Sequence, residues 1–290
     1  MAPASLRALL AGLIDYAGLF PPAGLPLGEV VRNYTVYRAS GDSWALGRLV
    51  VPARRLGELL PLVPSGAGPW PVTALIGEDV SGDAALIAAV KDTDGITVES
   101  AEVRAASVQH VRTAVEALRS VPEVYVELPL DAHLLILVKA VADAGARAKI
   151  RTGGVTADAI PSASACARFI EACVAHRVPF KATAGLHHPV RGVYPLTYAP
   201  DAPRGEMFGF LNVFLGAACA RMGMRGPKLE HVLTESSAEA FDFNDVGISW
   251  RGHSISRDEL QSTRDTLAMT FGSCSFREPI DDLKQLGLLS

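Results

Sequence analysis

Two short segments of the chain combine basic side chains with the spacing of a β-strand. They read AKIRT, with Lys149 and Arg151, and FKATA, with Lys181 and Thr183. Side chains alternate between the two faces of a strand, so Lys149 and Arg151 share one face, as do Lys181 and Thr183. Cations inside a sheet that is covered on both faces are destabilising unless they are paired or used in chemistry. The spacing therefore predicts a functional site on these two strands.

The chemistry that suits this pattern is that of a lysine amine acting on a carbonyl group. A lysine is nucleophilic only when it is neutral, and a low-dielectric site or a nearby positive charge lowers its pKa. Lys181 and Arg151 would supply such charge next to Lys149. A neutral lysine condenses with a carbonyl compound to form a Schiff base, which withdraws electrons and allows an adjacent carbon–carbon bond to be made or broken. We therefore expect an enzyme, a carbon–carbon lyase.

Acidic residues that could move protons accompany these cations. Asp15, Glu99 and Glu127 each stand near the end of an apolar, strand-like segment. A single glutamate in such a place is as often an ion-paired structural group as a catalytic one. Acids at the ends of several predicted strands favour a shared site. In that site, Arg151 would suit bidentate recognition of a substrate carboxylate.

The elements that would position these residues alternate between strand and helix along most of the chain. Short β-rich runs occur at residues 47–51, 71–77, 94–100, 123–129 and 268–275. Helical patterns separate most of them, and repeated βαβ units indicate an α/β fold with parallel strands. In a chain of 290 residues we predict a single (β/α)8 domain, a TIM barrel, over residues 1–290. The active site of that fold lies at the carboxyl ends of the strands.

The regular alternation stops after His188 and resumes near the end of the chain. A Pro-rich segment, 189–205, precedes an apolar helix at 206–223 and a hairpin-like pattern at 240–256. We interpret 189–256 as an insertion before the last strand. Long loops in compact domains are usually functional or disordered, so we expect 189–205 to lie at the mouth of the barrel as a lid.

Composition narrows the class of protein further. Hydrophobic residues make up 49% of the chain and the formal net charge is −4, which argues against a nucleic-acid groove or a polybasic membrane patch. No C-x-x-C pair, leader pattern or apolar run of membrane length stands out. We expect a cytoplasmic protein with a small-molecule substrate, no nucleic-acid or membrane partner, no cofactor and no metal. A homo-oligomer is compatible with the sequence.

The two lysine segments also resemble a known family. KIRTGGVTADAIP followed by FKATAGLHH is similar to the two signature strands of the deoxyribose-phosphate aldolase family, whose members are class I aldolases. Weaker similarity covers most of the chain, including LIDYAGLFPPA, with Asp15, and the last strand, AMTFGSCS. The positions that match the family's lysine strands are Lys149, Thr152, Gly153, Pro161, Lys181 and Gly185.

The resemblance implies roles for particular residues. Lys149 would form the Schiff base, Lys181 would be the cation that lowers its pKa, and Asp15 would help to position the proton-transfer network. The family's phosphate site uses a Gly-Gly turn and a Ser-Ser pair, which correspond here to the turn at Gly185 and to the Cys-Ser pair ending at Ser275. Backbone N–H groups at that turn could hold a phosphate.

The sequence also departs from the family. A catalytic aspartate belongs on the strand that reads GITVES here, where this chain has Thr97 and Glu99, with Glu127 on the next strand. Which residue replaces the aspartate stays open. Arg151 has no counterpart in the family's motif, so the small carbonyl substrate could be phosphorylated or carboxylated.

Two other functions fit the same residues. Glu99, Glu127 and His187 are nitrogen and oxygen ligands that suit a metal-assisted lyase or isomerase, although the nearby cations would repel a divalent ion. The second is a non-catalytic barrel that binds a small anionic metabolite.

Adjacent residues of an extended chain face opposite ways, so at most one of His187 and His188 would point into the site. The histidine that points inward would bind substrate together with Thr183, and His187 is the candidate.

Overall fold

Eight parallel strands close into a barrel, so the predicted (β/α)8 fold is confirmed. The structure, a computed structural model, describes residues 2–91 and 93–289. Its strands are β1 Ile14–Tyr16, β2 Leu46–Pro52, β3 Trp70–Leu75, β4 Ile96–Arg104, β5 Glu123–Glu127, β6 Arg147–Arg151, β7 Phe180–Thr183, β8 Gly192–Pro195, β9 Arg204–Met207, β10 Phe241–Phe243, β11 Gly247–Trp250, β12 His253–Ser256 and β13 Ala268–Ser273.

The barrel strands follow one another around the ring in the order β1-β13-β7-β6-β5-β4-β3-β2. Strands that are neighbours in sequence pair with each other, except that β13 lies between β7 and β1. The insertion between β7 and β13 therefore adds elements without changing the ring. We call the end of the barrel at the carboxyl ends of the strands the mouth and the opposite end the base.

Helices follow most barrel strands, as the alternating pattern predicts. They are α1 Ala4–Leu10, α2 Leu27–Arg38, α3 Leu56–Leu59, α4 Val80–Val90, α5 Val108–Ala117, α6 Leu134–Asp143, α7 Ala163–His176, α8 Phe210–Arg221, α9 Pro227–Thr234, α10 Arg257–Thr266 and α11 Arg277–Gln285. Ser107, Ser162 and Ser256 accept a backbone N–H at the starts of α5, α7 and α10, which satisfies a donor that has no partner within the helix.

Strand β4 is longer than its sequence pattern predicts. The predicted strand ends at Ser100, whereas β4 continues to Arg104. Its pairing with β3 passes from Val98 directly to Ser100, which leaves Glu99 as an extra residue in a β-bulge. A bulge shifts the alternation of the side chains by one. As a result Glu102, which the sequence analysis did not single out, points into the barrel.

The insertion forms two small antiparallel sheets and two helices. Strand β8 lies in the Pro-rich segment and pairs with β9, which extends past the end of that segment to Met207. Strands β10, β11 and β12 form a three-stranded sheet where a two-stranded hairpin was expected. The Tyr198 hydroxyl donates to Glu278, which follows the carboxyl end of β13, at 3.0 Å. This contact puts the Pro-rich segment at the mouth. The apolar pattern in the insertion corresponds to α8, whose residues Phe210 to Ala220 are all buried.

Hydrophobic side chains fill the space between the barrel and its helices. Phe210 and Phe214 of α8, for example, pack on Phe271 of β13 with ring centroids 5.2 and 6.0 Å apart. Across residues 2–91 and 93–289, no helix is both long enough and apolar enough to cross a membrane.

Candidate functional site

A cavity of about 760 Å³ opens at the mouth of the barrel. Its lining includes Lys149, Glu102 and Glu127, which project from the neighbouring strands β6, β4 and β5. The register of the sheet sets Lys149 beside Glu127 on one side and beside Lys181 on the other. The side chains with titratable groups therefore converge because consecutive parallel strands end at the same level.

Lys149 makes two close ion pairs in this cavity. Its Nζ lies 2.6 Å from Glu102 Oε2 and 2.8 Å from Glu127 Oε2, and its side chain is only 3% exposed. Burying a charged amine requires such partners, because desolvation alone would disfavour the charge. Both carboxylates are also within reach of any proton that leaves this amine.

Lys181 lies deeper in the barrel and does not line the cavity. Its Nζ lies 2.6 Å from Asp15 Oδ2 and 2.5 Å from Glu102 Oε1, and none of its side chain is exposed. Burial lowers the pKa of Lys181, but the charges of Asp15 and Glu102 outweigh burial and raise that pKa above its ordinary value. Lys181 is therefore held in its protonated form.

Glu102 links the two lysines, since one of its oxygens binds each amine. Burial raises the pKa of Glu102, but the charges of Lys149 and Lys181 outweigh burial and lower it to about 2. The sequence predicts that the positive charge of Lys181 acts directly on Lys149. Instead the Glu102 carboxylate bridges them, so the repulsion between the two amines is largely offset.

The identity of the acid on β4 differs from the sequence-based expectation. Glu102 occupies the position beside the lysines, whereas Glu99 lies at the base with its Oε2 2.8 Å from Arg48 Nε. Glu99 lines a separate cavity of about 470 Å³ at that end. The bulge is the physical reason, because it shifts by one residue the positions of β4 whose side chains point into the barrel. The one sequence signal was the alternation S-x-E-x-R that continues past the predicted strand end.

Asp15 contributes from the first strand, as the sequence predicts, although from beneath the cavity rather than from its wall. The Asp15 carboxylate is fully buried and accepts hydrogen bonds from Lys181 Nζ at 2.6 Å and from Thr270 Oγ1 at 2.8 Å. Its other oxygen accepts the backbone N–H of Arg48 at 2.8 Å. These donors compensate the buried charge and orient Asp15 toward Lys181.

Arg151 lines the cavity and shares Glu127 with another arginine. Arg151 Nε and Arg104 Nε lie 3.1 and 3.2 Å from the same oxygen, Glu127 Oε1. Burial raises the pKa of Glu127, but Lys149 and Arg151 outweigh burial and lower it. Since both arginine side chains are partly exposed, 41% for Arg151 and 73% for Arg104, they can contact an anion in the cavity as well as Glu127.

His187 also lines the cavity, beside Thr183. Its Nδ1 lies 3.1 Å from Glu278 Oε2 and 3.9 Å from Cys274 Sγ. Burial lowers the pKa of His187, but its contacts with Cys274 and Glu278 outweigh burial and raise the pKa to about 9. The imidazole is therefore a cation at neutral pH. Tyr198 of the insertion completes this cluster by donating to Glu278.

His188 points elsewhere, so only one residue of the pair faces the cavity. His188 Nδ1 lies 2.6 Å from Asp282 Oδ2, and its ring stacks on Tyr194 with centroids 3.5 Å apart.

Two residues expected to bind substrate have structural contacts instead. Gly185 has a φ of 75° and packs so closely on Gly153 that a Cβ on either glycine would lie 2.9 Å from the other's Cα. Ser275 Oγ accepts the backbone N–H of Glu278 at 3.1 Å, at the start of α11. Neither residue is among those that line the mouth cavity. Residues close to them still line the cavity, namely Gly153, Ala184 and Cys274.

The structure does not bring together the three residues proposed as metal ligands. Glu99 lies at the base, Glu127 pairs with Lys149, and His187 pairs with Glu278. Among the described residues, no group of three His, Cys, Asp or Glu side chains has an arrangement that could hold a metal ion.

The chain was also compared with known proteins. Neither a scan against protein-family models nor a search among curated proteins returned a match. The resemblance to the aldolase strands therefore remains an expectation, and the inference of function depends on the geometry of the site.

Proposed function

We propose that this protein is a Schiff-base lyase of the class I aldolase type, with Lys149 as the nucleophile. One observation supports the proposal above the others. The Lys149 amine lies in the wall of a large cavity at the mouth, between two carboxylates that can accept its proton. A lysine becomes a nucleophile when it transfers its proton to a neighbouring general base.

The first step would remove a proton from Lys149. Glu127 is the better placed acceptor, because it faces the cavity and Glu102 stays bound to Lys181. The neighbouring cations that lower the pKa of Glu127 make this proton transfer transient. The neutral amine then attacks the carbonyl carbon of the substrate, and the oxygen takes up the proton held by Glu127. The nitrogen, now positively charged, gives a second proton to the same carboxylate, which leaves a carbinolamine. Transfer of this second proton from Glu127 to the carbinolamine hydroxyl releases it as water and leaves an iminium cation.

The iminium would serve as the electron sink for the bond that breaks. The electron pair of the adjacent carbon–carbon bond moves into the iminium and forms an enamine, while the departing fragment leaves as a carbonyl compound after losing a hydroxyl proton to a carboxylate. Protonation of the enamine carbon and hydrolysis by water then release the second product and restore Lys149. Lys181 and Asp15 would hold Glu102 charged and in place through these steps.

The cations around the cavity would recognise an anionic group on the substrate. Arg151 and Arg104 offer N–H groups that match a carboxylate or a phosphate, and the protonated His187 adds a further positive charge. Each of these cations has one acidic partner already, so a substrate anion would share them rather than meet an unpaired charge.

A second candidate is a barrel that binds a small anion without chemistry. The observation in its favour is the close pairing of Lys149 with two carboxylates, which is also what a purely structural buried lysine would show. Under this alternative the mouth cations bind a metabolite and Lys149 only maintains the walls of the cavity.

Borohydride reduction followed by mass spectrometry separates the two candidates. The protein would be treated with a panel of aldehydes and 2-oxo acids, and we expect one reduced adduct per chain, on Lys149. Lys149→Arg keeps the positive charge and should give no adduct. Lys139→Arg, at an exposed lysine on α6, is the matched control and should be labelled like the unsubstituted protein. An adduct that survives in Lys149→Arg, or none at all with a panel that demonstrably binds, would contradict the lyase proposal.

A further inference from the structure

The mouth cavity has two unlike walls, and the strand order explains them. Strands β1, β2 and β3 are contiguous in the ring, and the side chains that they and their following loops contribute to the cavity are mainly apolar. Only Gly77 and Glu78, both exposed, interrupt this wall. The apolar members are Ala17, Phe20, Pro21, Val50, Leu75 and Ile76.

The opposite wall carries the charges. It is formed by β4 to β7 and β13, and it holds Lys149 with its two glutamates and the cations Arg104 and Arg151. In the ring, β6 with Lys149 stands four places from β2 with Val50, which is directly across an eight-stranded barrel. A compound bound through its carbonyl carbon at Lys149 therefore extends toward the apolar wall.

The cavity offers few partners for the hydroxyl groups of a substrate. Its lining contains the hydroxyls of Thr156 and Thr183 but, among the described residues, no Ser, Asn, Gln, Tyr or Trp. Most of the charged groups on the far wall are already engaged in ion pairs. Two exposed polar side chains of the lining, Glu78 and His110, lie apart from these ion pairs. A polyhydroxylated compound would leave several hydroxyls unpaired against the apolar wall, which is strongly unfavourable.

We infer that the substrate of this site is a carbonyl compound with an apolar body, an unbranched or ring-bearing hydrocarbon chain, and one anionic group. Beyond the single hydroxyl that the cleavage consumes it carries no others, so it is not a polyol. The inference that such a compound reacts depends on the proposed function. The inference that the cavity binds it depends only on the two walls. The anionic group meets Arg151 and Arg104 on the charged wall, and the hydrocarbon meets Val50 and Leu75.

Binding of unreactive acids tests the inference without any chemistry at Lys149. Affinities of butanoate, pentanoate and hexanoate would be measured by calorimetry or by NMR titration. Each added methylene that leaves water should tighten binding about threefold to fourfold. Gluconate has the same number of carbons as hexanoate but carries hydroxyls, and it should bind at least tenfold more weakly. Pentyl phosphate measured in parallel with hexanoate identifies which anion the charged wall prefers.

Substitution of the apolar wall supplies the matched comparison. Val50→Thr keeps the shape of the side chain and adds a hydroxyl, so it should weaken hexanoate binding about fivefold or more and reduce the dependence on chain length. Val50→Ala, a milder change that keeps the strand apolar, should weaken binding about threefold. Val36→Thr changes an exposed valine on α2 and should leave binding unaltered.

The outcomes separate this inference from the lyase proposal. Affinity that does not change with chain length, or gluconate binding as tight as hexanoate binding, would overturn the apolar-substrate inference. Chain-length dependence without a borohydride adduct from 2-oxohexanoate would support the ligand class and remove the lyase proposal. If both the chain-length dependence and the adduct are observed, the concentration of 2-oxo acid that gives half-maximal adduct should fall about threefold per methylene from 2-oxobutanoate to 2-oxohexanoate.

Discussion

The mouth and the base of this barrel are built from the same strands but carry different cations. Strands β4, β5 and β6 supply Glu99, Glu123 and Arg147 to the base. Farther along, the same three strands supply Glu102, Glu127 and Lys149 to the mouth. Arg48 of β2 completes the base with ion pairs of 2.8 Å to Glu99 and 3.0 Å to Glu123.

The difference between arginine and lysine decides what each end can do. A guanidinium stays protonated at any pH a protein tolerates, so the arginines of the base can only bind and hold. A lysine can lose its proton when its surroundings allow, so the mouth can supply a nucleophile. Under the proposed function, ion pairs of similar length therefore hold the barrel together at one end and would surround a nucleophile at the other.

The largest effect is expected from moving the amine between the two ends. The double substitution Lys149→Arg with Arg147→Lys keeps the charge of β6 and shifts its lysine two residues toward the base. We expect complete loss of the borohydride adduct, because the amine would pair with Glu123 away from the mouth cavity. Mass spectrometry measures the adduct and near-ultraviolet circular dichroism checks the fold. Labelling of the relocated lysine would show that the mouth is not needed for reactivity.

The next effect concerns stability. Lys181→Met removes the cation that pairs with two fully buried carboxylates, Asp15 and Glu102, and should lower the free energy of unfolding by about 3–5 kcal/mol. Arg48→Met is the comparison at the base. It should cost only about 1 kcal/mol, because Glu99 is 41% exposed and Glu123 keeps Arg147. Urea unfolding measures both, and equal losses would contradict the difference in burial.

The smallest effect is a pH dependence that the arginines of the base cannot produce. The pKa of His187 is about 9 in the folded protein, against 6.5 for the free side chain. Protonation of His187 therefore adds stability that is fully present below pH 6.5 and is lost as the pH rises to 9. The loss should be on the order of 3 kcal/mol in urea unfolding between pH 6 and pH 9.

Two variants identify His187 as the source of that loss. His187→Gln should remove this component, and Glu278→Gln, which deletes the acidic partner, should move it to lower pH. An unchanged pH profile in His187→Gln would assign the loss to other groups.

The sequence by itself determined the barrel and the placement of its two lysines. The repeat of strand and helix predicts parallel strands, and the alternation within KIRT and FKAT puts Lys149 and Lys181 on inward positions at one level. The same reasoning predicts that Arg151 and Thr183 line the mouth, whereas it leaves open which of His187 and His188 does so. These features can be predicted because the side chains of a strand alternate between its two faces with a period of two residues.

Only the tertiary structure decided which acid meets the lysines. Glu99 and Glu102 both belong to β4, and the bulge at Glu99 reverses the parity that a regular strand would give. A bulge depends on the register with the neighbouring strand, which a local pattern does not contain. The bridge that Glu102 makes between Lys149 and Lys181 was likewise missing from the prediction.

The cluster around His187 and the two walls of the cavity arise from contacts between distant parts of the chain. Glu278 of α11 pairs with His187, and Tyr198 of the insertion donates to Glu278. No spacing in the sequence links these three residues. Val50 faces Lys149 because closing the ring sets β2 opposite β6. Local periodicity determines which way a side chain points, whereas closure of the sheet and packing of the loops determine what it meets there.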